Sequence, residues 1–193
     1  MDNKKIILAS KSPRRQELVK ELNFEFEIRS NKDVEEIYPD LLDPYKVPEY
    51  LAALKSSPII SSLSENEILL TSDTIVLFQN QILGKPKSKE EGIKMLKTLS
   101  GKTHEVITGV QLKDINKTIS FSSITKVFFK HLTDEEISFY IEKHNPLDKA
   151  GSYAIQEWIG YIGVSKIEGC YYNVMGLPLH DIYKKLKKHF YKD

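Results

Sequence analysis

The side chains best able to do chemistry in this chain are cations and carboxylates held in separate short segments. The first segment, Ile6-Ile7-Leu8-Ala9-Ser10-Lys11-Ser12-Pro13-Arg14-Arg15, runs from an apolar strand into two hydroxyls, three cations and a helix start. Ser12 suits the cap of that helix and Pro13 its first position, and the N–H groups there carry the positive end of the helix dipole. This combination predicts an anion site, with phosphate the natural guest. Other cations are Lys55, Lys85 beside Gly84, and Lys149 in Asp148-Lys149-Ala150-Gly151; the candidate carboxylates for metal or base work are Glu35, Asp73 and Asp148. A phosphate ester needs cations to neutralise it, donors to orient it and a carboxylate to hold a metal or a water. The sequence supplies all three.

Several other chemistries are excluded. Gly84-Lys85-Pro86 lacks the upstream glycine and the following Ser or Thr of a Walker A loop. No histidine pair has metal-ligand spacing, and no nucleophile elbow supports a Ser-His-Asp triad. Cys170, the single cysteine, forms no intramolecular disulfide and no zinc cluster, which favours a reducing compartment. Lys plus Arg number 28 against 27 for Asp plus Glu, so a net charge of +1 offers no whole-molecule attraction to nucleic acid or an anionic membrane. The stripe Lys184, Lys185, Lys187, Lys188 reads as the solvated face of the last helix, and nucleic-acid binding is the weakest functional reading. Only four apolar residues follow Met1-Asp2-Asn3-Lys4-Lys5, too few for a signal-peptide core, and no run approaches the ~20 residues of a membrane span. The expectation is a soluble cytoplasmic protein.

The elements that must position these residues alternate between strand and helix, which predicts an α/β fold with a mixed sheet and flanking helices, one domain over residues 1–193 with two lobes. A helix is expected from Pro13 to about Leu22, then a half-buried strand in which Phe24, Phe26 and Ile28 alternate with Glu25 and Glu27. An acidic loop, Asp33-Val34-Glu35-Glu36, precedes a helix starting near Pro48 that carries Lys55. Ile68-Leu69-Leu70 reads as a central strand ending at Thr71-Ser72-Asp73-Thr74, and polar residues at a strand's carboxyl end commonly line ligand crevices. The chain then continues as strand from Ile75 to Phe78 and turns at Gln79-Asn80-Gln81.

Capping boxes, Ser88 with Glu91 and Thr133 with Glu136, mark two later helices, the first stopping at Gly101 and the second before Pro146. His104 to Leu112 and Thr125 to Phe129 read as strands. Pro178 opens a last helix with Ile182, Tyr183, Leu186 and Phe190 facing inward.

Six segments in order, Leu8 to Arg15, Ser72-Asp73-Thr74-Ile75-Val76, Leu83-Gly84-Lys85-Pro86, Leu99-Ser100-Gly101-Lys102-Thr103-His104, Asp148-Lys149-Ala150-Gly151 and Gly176-Leu177-Pro178, resemble the successive motifs of the Maf family of nucleoside triphosphate pyrophosphatases. The resemblance implies hydrolysis of a nucleoside triphosphate to the monophosphate and pyrophosphate with a divalent cation, Mg²⁺ or Mn²⁺. It implies a mixed twisted sheet with two lobes around a central cleft, related to inosine triphosphate pyrophosphatases, and often a homodimer. The family's catalytic aspartate, a proton acceptor, falls on Asp73, and its specificity positions fall on Arg14, Thr74 and Gln156.

That trio resembles the subgroup acting on dTTP and UTP, with modified pyrimidine nucleotides as further candidates, and not the subgroup acting on 7-methyl-GTP. Gln156 offers a donor and an acceptor to the Watson–Crick edge of uracil or thymine. Phosphate binding is then assigned to Ser10, Ser12, Arg15, Lys55, Lys85 and Lys149, and a metal to Glu35 with Asp73. Arg14 and Arg15 point about 100° apart on one helical turn, so they are expected to divide between base or sugar and phosphates.

Bland readings stand beside the sharp ones. Asp73 would otherwise close a strand, Glu35 would lie on a solvated face, Asp148 would pair with a neighbouring lysine, and Ser10 and Ser12 would serve the helix start alone. Glu157-Trp158-Ile159 departs from the small, glycine-containing turn of many family members, and Trp158 either stacks on the base or covers the core. His104 reads as hydrogen-bonded structure and Cys170 as a packed residue. The alternative function is a nucleotide-binding regulator of cell division or septum formation with little turnover.

Overall fold

The computed structural model describes residues 4–29 and 34–191. Met1-Asp2-Asn3 and Asp33 of the expected acidic loop lie outside the described residues. The elements in order are β1 (Lys5–Leu8), α1 (Pro13–Lys20), β2 (Phe26–Ile28), α2 (Val47–Ser56), β3 (Glu67–Phe78), β4 (Gln81–Leu83), α3 (Lys89–Leu99), β5 (Thr103–Lys113), β6 (Thr118–Phe129), α4 (Asp134–His144), α5 (Trp158–Gly163), β7 (Val164–Glu168), α6 (Tyr171–Val174) and α7 (Leu179–His189). The strands form one mixed seven-stranded sheet in the order β2-β1-β3-β5-β6-β7, with β4 paired to β3. The chain divides into two compact units, the first Met1–Asp73, Thr108–Ser123 and Gly176–Asp193, the second Thr74–Ile107 and Ile124–Met175.

In the first unit β1 lies between β2 and β3 and is parallel to both, with Leu8 opposite Ile28 on one side and Leu70 on the other. The chain leaves β1 through α1 to reach one neighbour and passes through α2 to reach the other. The strand order therefore reverses at β1, the topological position where α/β sheets bind ligands beyond the strands' carboxyl ends. Ile6, Ile7, Leu8, Ile68, Leu69 and Leu70 are fully buried, as strands covered on both faces require. Gly109 of β5 meets the start of α2 with bare backbone, since a Cβ there would lie 2.2 Å from Pro48 C and Glu49 N.

In the second unit Phe78 pairs with Gln81 across a two-residue turn whose residues Gln79 (φ 48°) and Asn80 (φ 64°) are both left-handed. That is the backbone a tight hairpin needs to match strand twist. Val76, Leu96, Leu99, Tyr140, Ile141 and Ile159 share the core of this unit. Thr133 and Glu136 complete a capping box at the start of α4, which ends on left-handed Asn145.

Four expectations are corrected. β3 does not end at Thr71-Ser72-Asp73-Thr74 and resume at Ile75 but runs unbroken from Glu67 to Phe78, most of its residues buried and, toward the end, paired with β4. Ser12 takes the N-cap position of α1 without a side-chain cap, and its own N–H is bound by Ser10 Oγ at 3.2 Å. Ser88 caps Glu91 N, but the Glu91 carboxylate reaches back to Lys87 N at 2.7 Å, so the box is displaced by one residue. Tyr183 of α7 is half exposed and packs on Phe24 instead of entering the core, while Ile182, Leu186 and Phe190 are buried.

Candidate functional site

In the first unit the site begins where β1 stops and β3 continues. Leu8 pairs with Leu70, Ala9 N–H donates to Leu70 O, and the chain then turns through Ser10 and Ser12 into α1. Thr71, Ser72 and Asp73 extend beyond that pairing and are buried. Residues two apart share a strand face, so Thr71 and Asp73 point the same way, toward α2. Thr71 Oγ1 donates to Ala52 O at 2.7 Å, and the Lys55 ammonium, one turn further along the same helix, donates to Asp73 Oδ1 at 2.5 Å. Lys55 also pairs with Glu36 at 2.8 Å.

Arg15 braces this corner. Its Nε donates to Gly176 O at 2.9 Å and its Nη1 to Ser72 O at 2.8 Å, tying α1 to β3 and to the start of the last segment of the unit. Burial lowers the pKa of its guanidinium, while Asp73 and Glu36 act in the opposite sense and Arg14 adds to the lowering. Asp73 thus sits among fixed positive charge. Ser10 and Ser12 are half-buried at the mouth of α1, Gln16 Nε2 holds the Ser10 carbonyl at 3.1 Å, and Lys11 is exposed. Ser72 Oγ is buried with no hydrogen-bond partner among the described residues.

Glu35 is exposed on its loop, whereas its neighbour Glu36, which the sequence does not single out, is the carboxylate that reaches Lys55. The acidic run signals the loop, but nothing in it distinguishes the two glutamates.

In the second unit Gly151 N–H donates to Gly84 O at 3.1 Å, which brings the loop of Lys85 beside the turn of Lys149. Lys85 is exposed. Lys149 is buried, its ammonium 2.7 Å from Asp148 and 3.4 Å from Glu157, so Asp148 has the pairing its bland reading predicted. Thr74 is half-buried on β3. Gln156 occupies a turn, with its Oε1 buried and without a hydrogen-bond partner among the described residues. Trp158 packs against the core and on Phe139 at 4.8 Å, so the covering role is the one its surroundings give it. His104 lies 2.7 Å from the Tyr153 hydroxyl, as a structural histidine.

A carboxylate among cations beside the switch point of a reversing β-α-β sheet lies where α/β proteins bind their ligands. The fold resembles that of a HAM1 protein from Coxiella burnetii, with a TM-score of 0.52 over 96% of this chain and 99% of that one at 17% identity. Residues 5–189 match the family described as Maf-like protein, and the chain belongs to the Maf family. Proteins named dTTP/UTP pyrophosphatase are similar to it throughout: one from Flavobacterium johnsoniae is 53% identical over 182 residues, covering 94% of this chain and 93% of its own length. One from Porphyromonas gingivalis is 50% identical over 185 residues, with 95% and 93% covered, and one from Phocaeicola vulgatus 47% over 188 residues, with 97% of each covered. No helix among the described residues is long and apolar enough to cross a membrane.

Proposed function

We propose that this chain hydrolyses dTTP and UTP to the nucleoside monophosphate and pyrophosphate. The carrying observation is Asp73, a buried carboxylate beside the switch point, held 2.5 Å from the Lys55 ammonium. In the reaction, the oxygen of water forms a bond to the α-phosphorus, and the bond from that phosphorus to the bridging oxygen breaks. The electron pair leaves with pyrophosphate and Asp73 accepts the proton of the water. Placement and fixed charge supply most of the acceleration.

Arg15 keeps the Ser72 carbonyl and so the Asp73 backbone in place, while Ser10, Ser12, Lys55, Lys85 and Lys149 serve as phosphate ligands. Arg14, Thr74 and Gln156 serve in substrate choice. The buried, unpartnered Oε1 of Gln156 supports a role in accepting the N3–H of uracil or thymine, since a buried acceptor is costly to leave unpaired.

The residues suit a hard divalent cation. Asp73 and Glu36 already share one cation, the Lys55 ammonium. Mg²⁺ is usually held by one or two carboxylates with substrate phosphates and water completing the shell. No group of three or more His, Cys, Asp or Glu gathers around a metal position among the described residues. A divalent cation held by these carboxylates would supply positive charge for the departing pyrophosphate.

The test is incubation with dTTP, UTP and 7-methyl-GTP in ¹⁸O-water. Expected are pyrophosphate and a monophosphate carrying the label; orthophosphate release, or label in pyrophosphate, overturns the assignment of the broken bond. Asp73→Asn should lower turnover by about 10²–10⁴ while nucleotide binding persists. A wild-type protein that binds nucleotide without turnover would instead be the regulator.

A further inference from the structure

Gln156 sits on a four-residue turn closed by Glu157 N–H donating to Ala154 O at 3.1 Å. The hydroxyl of Tyr140, from the middle of α4, reaches both ends of this turn: it accepts from Ala154 N at 3.2 Å and donates to Glu157 Oε2 at 2.5 Å. Tyr161 Oη donates to the carbonyl of Gln156 itself at 2.5 Å. The turn is also locked from beneath, since a Cβ on Gly160 would lie 1.8 Å from Ile155 O. Two tyrosine hydroxyls hold the backbone around this one glutamine, and its side-chain Oε1 is buried with no partner among the described residues.

We propose that Tyr140 and Glu157 are positioning residues for Gln156, the tyrosine hydroxyl setting the pose of the amide that distinguishes uracil and thymine from cytosine. This rests on the base-reading role of Gln156 proposed above. Burial first, and then the bond to Glu157, push the Tyr140 phenol up, so it stays protonated and donates to the carboxylate. Glu157 also acts at a second point, because its other oxygen lies 3.4 Å from the Lys149 ammonium. One carboxylate thus orients the base-reading turn and a phosphate-binding lysine together. Tyr140 is fully buried and its ring stacks on His144 at 5.0 Å, contacts that phenylalanine would keep. The hydroxyl is therefore separable from the packing.

The experiment compares kcat/KM for UTP and CTP in Tyr140→Phe, Glu157→Gln, Glu157→Ala and Gln156→Ala, with melting temperature as the control for folding. Tyr140→Phe is expected to lower the UTP-to-CTP ratio about tenfold, the scale of one lost buried hydrogen bond. The loss should come mainly through KM for UTP, with kcat little changed. Glu157→Gln keeps an acceptor for the hydroxyl and should retain the ratio, whereas Glu157→Ala should lose it. A ratio unchanged in both Tyr140→Phe and Glu157→Ala, while Gln156→Ala abolishes it, overturns the positioning role and leaves the base-reading role standing. A ratio unchanged in Gln156→Ala overturns both. Should Tyr140→Phe fail to fold, the contrast between Glu157→Gln and Glu157→Ala decides alone.

Discussion

The Lys55 ammonium lies between two carboxylates, 2.5 Å from Asp73 and 2.8 Å from Glu36. In that position it neutralises the proton acceptor of the proposed reaction, and it also stands where a divalent cation would be drawn by the same oxygens. Charge on Lys55 and charge on a metal therefore repel at short range.

Lys55→Met is accordingly expected to tighten Mn²⁺ binding about tenfold in the absence of nucleotide, since removing a unit charge a few ångströms away is worth at least that much. The same substitution should lower kcat/KM for dTTP by about 10²–10³, the scale of one lost charge-stabilising donor. Calorimetric titration with Mn²⁺ checks the first half; weaker binding in the variant would show that Lys55 does not compete with the ion.

His104 carries a pH signature of folding. Burial lowers its pKa from 6.5 to about 4, so between those values the unfolded chain binds a proton that the folded chain refuses. Stability is fully present above the unfolded value and falls as pH drops toward the folded one. Going from about pH 7 to about pH 4.5, the wild type should lose about 2 kcal/mol more than His104→Leu, as measured by urea unfolding.

Arg29 grips Glu67 with two bonds, Nη2 to Oε1 at 2.7 Å and Nη1 to Oε2 at 3.1 Å. The pairing lowers the Glu67 pKa from 4.5 to about 2, so its contribution is present above 4.5 and is lost as pH falls toward 2. Arg29→Met should cost about 1 kcal/mol at neutral pH, a partly exposed but bidentate pair. The gap from the wild type should close through the acid window in parallel melting curves.

Gly109→Ala tests the seating of α2. The added methyl would overlap Pro48 and Glu49 backbone, so the helix must shift. Overpacking of this kind costs about 1–3 kcal/mol. Because Lys55 rides on that helix, turnover should fall further than the melting temperature alone accounts for; wild-type kcat in a destabilised variant would uncouple the two.

The element order is largely legible in the sequence because apolar runs, a complete capping box and a left-handed helix stop are local signals. The length of β3 is not: Thr71, Ser72 and Asp73 look like a strand's polar end, and only their pairing context keeps the strand going. The short β7 and α5 carry no periodicity long enough to announce them. At the site, residue type and family resemblance single out Asp73, Lys55 and Gln156, yet Glu36 looks no different from Glu35. Tyr140 reads in sequence only as an apolar position of a helix. Its hydroxyl matters through residues 14 and 17 positions further on, a separation that no window of sequence reveals.

Asp73 occupies the interior of a 12-residue strand. Its position is thus set by the most slowly exchanging kind of backbone in a protein, where amides open only with large-scale unfolding. A ligand that needs the site to adapt must obtain that adaptation from side chains and from the 34–43 segment, where Glu36 meets Lys55. Hydrogen exchange on adding nucleotide should therefore change around Glu36 and leave the amide of Asp73 almost untouched. The acceptor and its lysine are the stationary part of the machinery, and the loop carboxylate that shares that lysine is the moving part.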